Sequence, residues 1–192
     1  MTPRVPPAAQ AQLAPVPPAT STAAAEPPAD PESVARTICL RLLERRARTR
    51  SELAAALQRK GVPDEPACRV LDRFTEVGLI DDAAVAGAFA ISQHRGRGLA
   101  GRAVAMKLRQ RGVAETTVQQ AVEQIDPDSE RAAAAALVAR RLPSFNGMDR
   151  VVQARRLVGL LARRGYGPGL AHQVVRDALG ARGLDVDAQA PD

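Results

Sequence analysis

Between residues 33 and 179 the apolar residues return every three or four positions. Val34, Ile38, Leu42 and Leu43 form one stripe, and Ala67, Val70, Leu71, Phe74 and Val77 form a clearer one. Val118, Val122 and Ile125 repeat the spacing, as do Ala171, Val174, Val175 and Ala178. This is the period of an amphipathic helix, and no segment alternates apolar and polar residues as a half-buried strand does. Helix-start signals fall where the stripes begin. Thr49 with Glu52 three residues on forms a capping box, and Asp81 and Asp126 (the latter followed by Pro127) stand at N-cap positions. The pattern predicts an all-α body.

The stripes also repeat as a set. Gly61, Gly112 and Gly165 align, each with a leucine four residues earlier: Leu57, Leu108, Leu161. Leu53, Val104 and Leu157 lie eight residues before the glycines, and Val62, Val113 and Tyr166 one after. Ala67, Val118 and Ala171 follow at six, and Leu71, Val122 and Val175 at ten. Each unit reads as helix, glycine C-cap with an apolar clasp behind it, then helix. A third helix precedes each pair, at roughly 33–47, 82–94 and 128–142. Three tandem three-helix modules are expected, helix-turn-helix-like in outline, at 33–80, 81–125 and 126–179, forming an elongated, curved body.

Composition alters this picture at the two ends. Residues 1–32 hold nine of the fifteen prolines and almost no large apolar side chain, so a disordered, partly polyproline-like extension is expected there. Residues 180–192 are short, acidic and without pattern, and a flexible tail is expected. Both ends are negatively biased: Arg4 stands against Glu26, Asp30 and Glu32, and Arg182 against Asp185, Asp187 and Asp192. The segment 33–179 therefore carries 25 basic and 15 acidic residues, a net of +10 where the whole chain has +6. A body this basic calls for an acidic partner. No apolar run approaches the ~20 residues of a membrane span. The N-terminus also lacks a signal-peptide core, so a soluble, cytoplasmic monomer is expected.

Candidate chemistry is sparse. Gly96-Arg97-Gly98-Leu99-Ala100-Gly101 matches G-x-G-x-x-G, but that motif needs a strand before it, and here a helix precedes it. A flexible basic hinge between helices fits the segment better. There is no G-x-x-x-x-G-K-[ST] phosphate loop. His94 and His172 are far apart, and His94 reads as a solvated side chain beside the basic segment. Cys39 and Cys68 lie near core stripes, where a free cysteine acts as a small hydrophobe. Asp81 and Asp82 fit helix capping better than a metal pair. No catalytic, cofactor or metal site is expected.

The arginines remain. Arg95, Arg97, Arg102, Lys107, Arg109 and Arg111 make six positive charges without a negative one between residues 95 and 111. The doublets Arg140-Arg141, Arg155-Arg156 and Arg163-Arg164 extend the set into the third module. Such an excess attracts phosphate or an acidic protein surface. These cations spread over the modules rather than concentrating on one recognition helix, and Phe74 and Phe89, rings that could stack on bases, sit on core stripes. Any direct DNA binding would then be weak, salt-sensitive and indifferent to sequence.

Several short segments, in order, resemble the RecX family of regulators of the RecA recombinase. They are Leu40-Arg41-Leu42-Leu43, Ser51-Glu52-Leu53, Arg59-Lys60-Gly61-Val62, Gly78-Leu79-Ile80-Asp81-Asp82 with Phe89 after it, Arg95-Gly96-Arg97-Gly98, and Leu160-Leu161-Ala162-Arg163-Arg164-Gly165-Tyr166. The resemblance implies a non-enzymatic regulator that binds RecA and the RecA–DNA filament and limits its extension, ATP hydrolysis and strand exchange. The twelve cations from Arg95 to Arg164 named above would supply its contact surface. The alternative reading is a nonspecific nucleic-acid-binding or helix-turn-helix transcription protein.

Overall fold

The computed structural model describes residues 30–188, with side chains described through residue 180. These residues form nine α-helices and one 3₁₀ turn, with no strand among them. The first triplet is α1 (Pro31–Arg45), α2 (Arg50–Arg59) and α3 (Asp64–Glu76). The second is α4 (Asp82–Arg97), α5 (Gly101–Gln110) and α6 (Glu115–Glu123). The third is α7 (Pro127–Arg141), the 3₁₀ turn Leu142–Phe145, α8 (Arg150–Arg163) and α9 (Pro168–Ala188).

The caps read from the sequence are present. Thr49 Oγ1 accepts from the Glu52 amide at 3.1 Å, Asp81 from Ala84 at 2.8 Å and Asp126 from Ser129 at 2.8 Å. Each closes amides that the first helical turn leaves without a partner, a gain of about 1 kcal/mol. Asp30 caps α1 through the Glu32 and Ser33 amides, with Pro31 in the first turn. The expected disordered segment 1–32 therefore yields its last residues to α1, and residues 1–29 lie outside the described residues. At the other end α9 continues to Ala188, so residues 180–188 of the expected flexible tail are helical, while 189–192 lie outside the described residues.

The three aligned glycines perform one task three times. Gly61, Gly112 and Gly165 have φ of 73°, 72° and 89°, the left-handed conformation that ends a helix. Behind each, the amide of the next residue reaches back to the aligned leucine carbonyl: Val62 to Leu57 at 3.2 Å, Val113 to Leu108 at 3.2 Å, Tyr166 to Leu161 at 3.1 Å. Those leucines, with Leu53, Val104 and Leu157 one turn earlier, are fully buried. Each such leucine contributes about 1.5–3 kcal/mol by leaving water. The triplets thereby hold three separate cores.

The triplets join in series through the same kind of contact. The N-cap of α2 meets the end of α5: the Thr49 hydroxyl donates to the Arg111 carbonyl at 3.0 Å, and Thr49 is fully buried. The N-cap of α5 meets the end of α8: the Ala100 amide donates to the Arg164 carbonyl at 3.0 Å, and Ala100 enters the third core. The glycine after each carbonyl allows the approach. A Cβ on Gly112 would lie 2.1 Å from Ser51 Oγ, and one on Gly165 2.6 Å from Ala103 Cβ. Gly61, at the front of the series, has no described residue within 4 Å of the equivalent position. At the back, α8 has 14 residues where α2 and α5 have 10. Its additional turn lies at the N-terminus, so Gln153, buried, stands inside the helix at the register of Thr49 and Ala100.

Candidate nucleic-acid and protein interface

The sequence offers twelve cations, and the structure divides them. Arg109 holds Glu115 through two hydrogen bonds of 2.8 and 2.6 Å, which keep the Glu115 carboxyl below the usual carboxylate range. Arg111 lies over the Phe89 ring, 4.8 Å from its centroid, and donates to Glu52 at 2.9 Å across the first joint. Burial works against ionisation of Glu52. The hydrogen bonds and charges of Arg111 and Arg46 outweigh it, and the carboxyl is held low. Arg109 and Arg111 are thus each paired with a carboxylate of the fold. Arg102 is exposed and lines none of the cavities described here.

The other nine converge. A furrow of 640 Å³ runs between α7 and α8, with Arg140 and Arg141 on one side and Arg155, Arg156, Arg163 and Arg164 on the other. Its floor is apolar: Leu137, Phe145, Gly159 and Leu160. A second cavity, 470 Å³, continues from Arg140, Arg163 and Arg164 to Arg97 and Lys107. A third, 420 Å³, leads from Arg140 past Arg95 and Arg97 to His94 and Ser129. Arg140 lines all three, and among the described residues no carboxylate lines any of them. Among the described residues none of these nine cations forms an ion pair.

Two arginines of the furrow are held in place. Arg141 and Arg156, from opposite walls, both lie over Phe145, each 5.7 Å from the ring centroid. The attraction of a guanidinium to an aromatic face is worth about 0.5–1 kcal/mol at an exposed site and leaves its N–H edge free to donate. Phe145, like Leu137 and Gly159, is a furrow residue that the sequence pattern does not single out. Its spacing from Arg141, across the turn that ends α7, is the only signal in the chain.

The glycine run from 96 to 101 is a packed corner rather than a flexible hinge. Gly98, φ 59°, ends α4, and Leu99 and Ala100 are buried. The Tyr166 hydroxyl donates to the Gly98 carbonyl at 3.0 Å, and Arg164 donates to the Arg97 carbonyl. Burial, with the Glu130 charge nearby, pushes the Tyr166 hydroxyl up to about 12. The Gly101 amide meets Glu130 Oε1 at 2.7 Å, so the helix terminus a dinucleotide would need is occupied by a carboxylate. His94, expected in solvent, is buried: Nδ1 faces the Leu99 carbonyl at 2.9 Å and Nε2 the Ser129 hydroxyl at 3.1 Å. The carbonyl can only accept, so Nδ1 carries the proton. Cys39 is buried as expected, which raises its thiol above the ordinary range, whereas Cys68 is exposed. No three His, Cys, Asp or Glu side chains come together as metal ligands among the described residues. No described helix is long and apolar enough to cross a membrane.

Comparison with known proteins gives this geometry a relationship. Residues 35–74 match the family model for the first three-helix domain of RecX, and residues 81–122 that for the second. The regulatory protein RecX of Thermobifida fusca is 53% identical over 165 residues, covering 86% of this chain and 89% of that protein. The Streptomyces coelicolor regulatory protein RecX is 50% identical over 172 residues, covering 88% of this chain and 92% of that protein. In solved structures, RecX from Lactobacillus salivarius superposes with a TM-score of 0.73 at 13% identity, over 78% of this chain and 97% of that one, a likeness of fold.

Proposed function

The chain belongs to the RecX family, and from that premise we propose that it regulates the RecA recombinase. It binds the RecA nucleoprotein filament and limits its extension, ATP hydrolysis and strand exchange, without catalysing a reaction of its own. The observation that carries this reading is the furrow between α7 and α8, where six arginines face one another with no carboxylate among them. Cations kept unpaired at a concave site raise the local concentration of an anionic partner and speed its capture. Three triplets in series suit a partner that is itself a repeating polymer, since successive modules then meet successive subunits. The mode of action is steric and electrostatic.

The test titrates the protein into RecA already assembled on single-stranded DNA while ATP hydrolysis and strand exchange are followed. Both should fall at well under one copy per RecA, because a regulator lodged in a groove or at a growing end affects many protomers. Arg140→Glu with Arg163→Glu should raise the dose required, while Arg73→Glu should not, Arg73 being paired with Glu76 away from the furrow. RecA activity untouched until the free DNA is coated would replace this reading with nonspecific nucleic-acid binding. A helix-turn-helix transcription factor would instead show a preference for one duplex sequence that survives high salt.

A further inference from the structure

The furrow specifies its ligand more narrowly than an anionic partner. It runs between α7 and α8 with arginines on both walls, and an extended chain with one charge per repeat can follow such a line of cations. Its walls are guanidiniums that continue without a carboxylate from Arg155 and Arg156, past Arg140 and Arg163, to Arg97 and Lys107. The only aromatic in the furrow, Phe145, is 8% exposed and already covered on its faces by Arg141 and Arg156, so no ring is open for a base to stack on. A nucleic-acid strand seated here turns its backbone inward and its bases out.

We propose that the α7–α8 furrow holds the sugar–phosphate backbone of single-stranded nucleic acid, with Arg141 and Arg156, braced on Phe145, as a fixed two-armed phosphate clamp. The inference rests on the furrow being the contact surface of the proposed regulator, and it names which component of a nucleoprotein filament that surface touches. Bracing matters because a free arginine loses rotamer entropy when it binds, whereas one already stacked has surrendered part of it beforehand. Planar guanidinium edges then meet phosphate oxygens through paired hydrogen bonds.

The experiment measures binding of the full chain to a fluorescent oligothymidylate by anisotropy across a salt series. Alongside it run an abasic oligonucleotide of equal length and a duplex. Thymidylate and abasic strands should bind equally, and the duplex more weakly. Replacing both Arg141 and Arg156 by alanine should flatten the log–log salt slope by about 1.4, two phosphates at about 0.7 each. That corresponds to a loss of about 25-fold in affinity at 0.1 M salt. The charge-keeping pair Arg141→Lys with Arg156→Lys should restore the slope but only part of the affinity, which separates the braced fork from charge alone. Circular dichroism and the unfolding midpoint establish that each variant is folded. Wild-type binding by the double alanine variant overturns the proposal, as does a marked loss on the abasic strand. A variant that loses regulation of RecA while keeping single-strand binding also overturns it, assigning the furrow to a protein surface. A wild type that binds single strands through the furrow yet leaves RecA filaments unaffected upholds the clamp and refutes the regulator.

Discussion

Three aligned glycines allow the joints between triplets to be weighed by a matched series of substitutions. Gly61, Gly112 and Gly165, changed singly to alanine, all force a Cβ into the left-handed region, at a shared cost of roughly 1–2 kcal/mol. Their surroundings then separate them. At Gly61 the new methyl meets nothing within 4 Å, so the shared cost is the whole cost. At Gly112 it would lie 2.1 Å from Ser51 Oγ and 2.5 Å from Ser51 Cβ. The hydroxyl can rotate away and the Cβ cannot, which adds about 1 kcal/mol, the low end for overpacking. At Gly165 the methyl would lie 2.6 Å from Ala103 Cβ and 2.8 Å from its backbone nitrogen, and no rotamer relieves either. The second and third triplets must part there. Overpacking of about 1–3 kcal/mol is joined by about 1 kcal/mol for the lost bond from Ala100 to Arg164. Urea melts of the three variants should thus rank Gly61→Ala, Gly112→Ala and Gly165→Ala in increasing loss. In thermal scans Gly165→Ala should fall below Gly61→Ala by about 5–15 °C, at 2–4 °C per kcal/mol for a chain of this size. In a Ser51→Gly background, Gly112→Ala should cost no more than Gly61→Ala. Equal losses at all three positions would refute the reasoning and show that the joints are open in solution.

Two further outcomes follow from the caps and the second joint. Removing residues 1–29 should leave the urea midpoint unchanged, whereas removing Asp30 as well should cost about 1 kcal/mol through the uncapped amides of α1, read in the same melts. Tyr166, at about 12 in the folded chain against about 10 when exposed, binds its proton more tightly when folded. Its contribution is therefore complete below pH 10 and lost between pH 10 and 12, to the extent of about 2–3 kcal/mol. Stability measured across that window should fall less steeply in Tyr166→Phe than in the wild type.

Much of the architecture is legible in the chain because the same local problem is solved three times. A glycine with a leucine four residues before it and an apolar residue one after describes a helix end almost completely, and Gly61, Gly112 and Gly165 all close that way. The proposed contact surface is legible only as charge. Arg140-Arg141 and Arg155-Arg156 show as doublets, but their convergence depends on how α7 meets α8, which local spacing does not encode. The same gap hides the partner of Arg111, Glu52, 59 residues away, and that of His94, Ser129, 35 away. Both side chains are polar residues in a basic stretch, and only the joints reveal what they hold.

The additional turn of α8 gives the series a direction. Each joint needs a helix start on one triplet and a bare glycine corner on the next; α8 buries Gln153 where that start would be, while no described residue covers Gly61 at the opposite end. A triplet grafted behind α9 would find its seat already filled by the chain's own helix. One fused ahead of α1 would meet a vacant corner of the right shape. Among the described residues the protein is thus built like a row of bricks with a finished end and a toothed one.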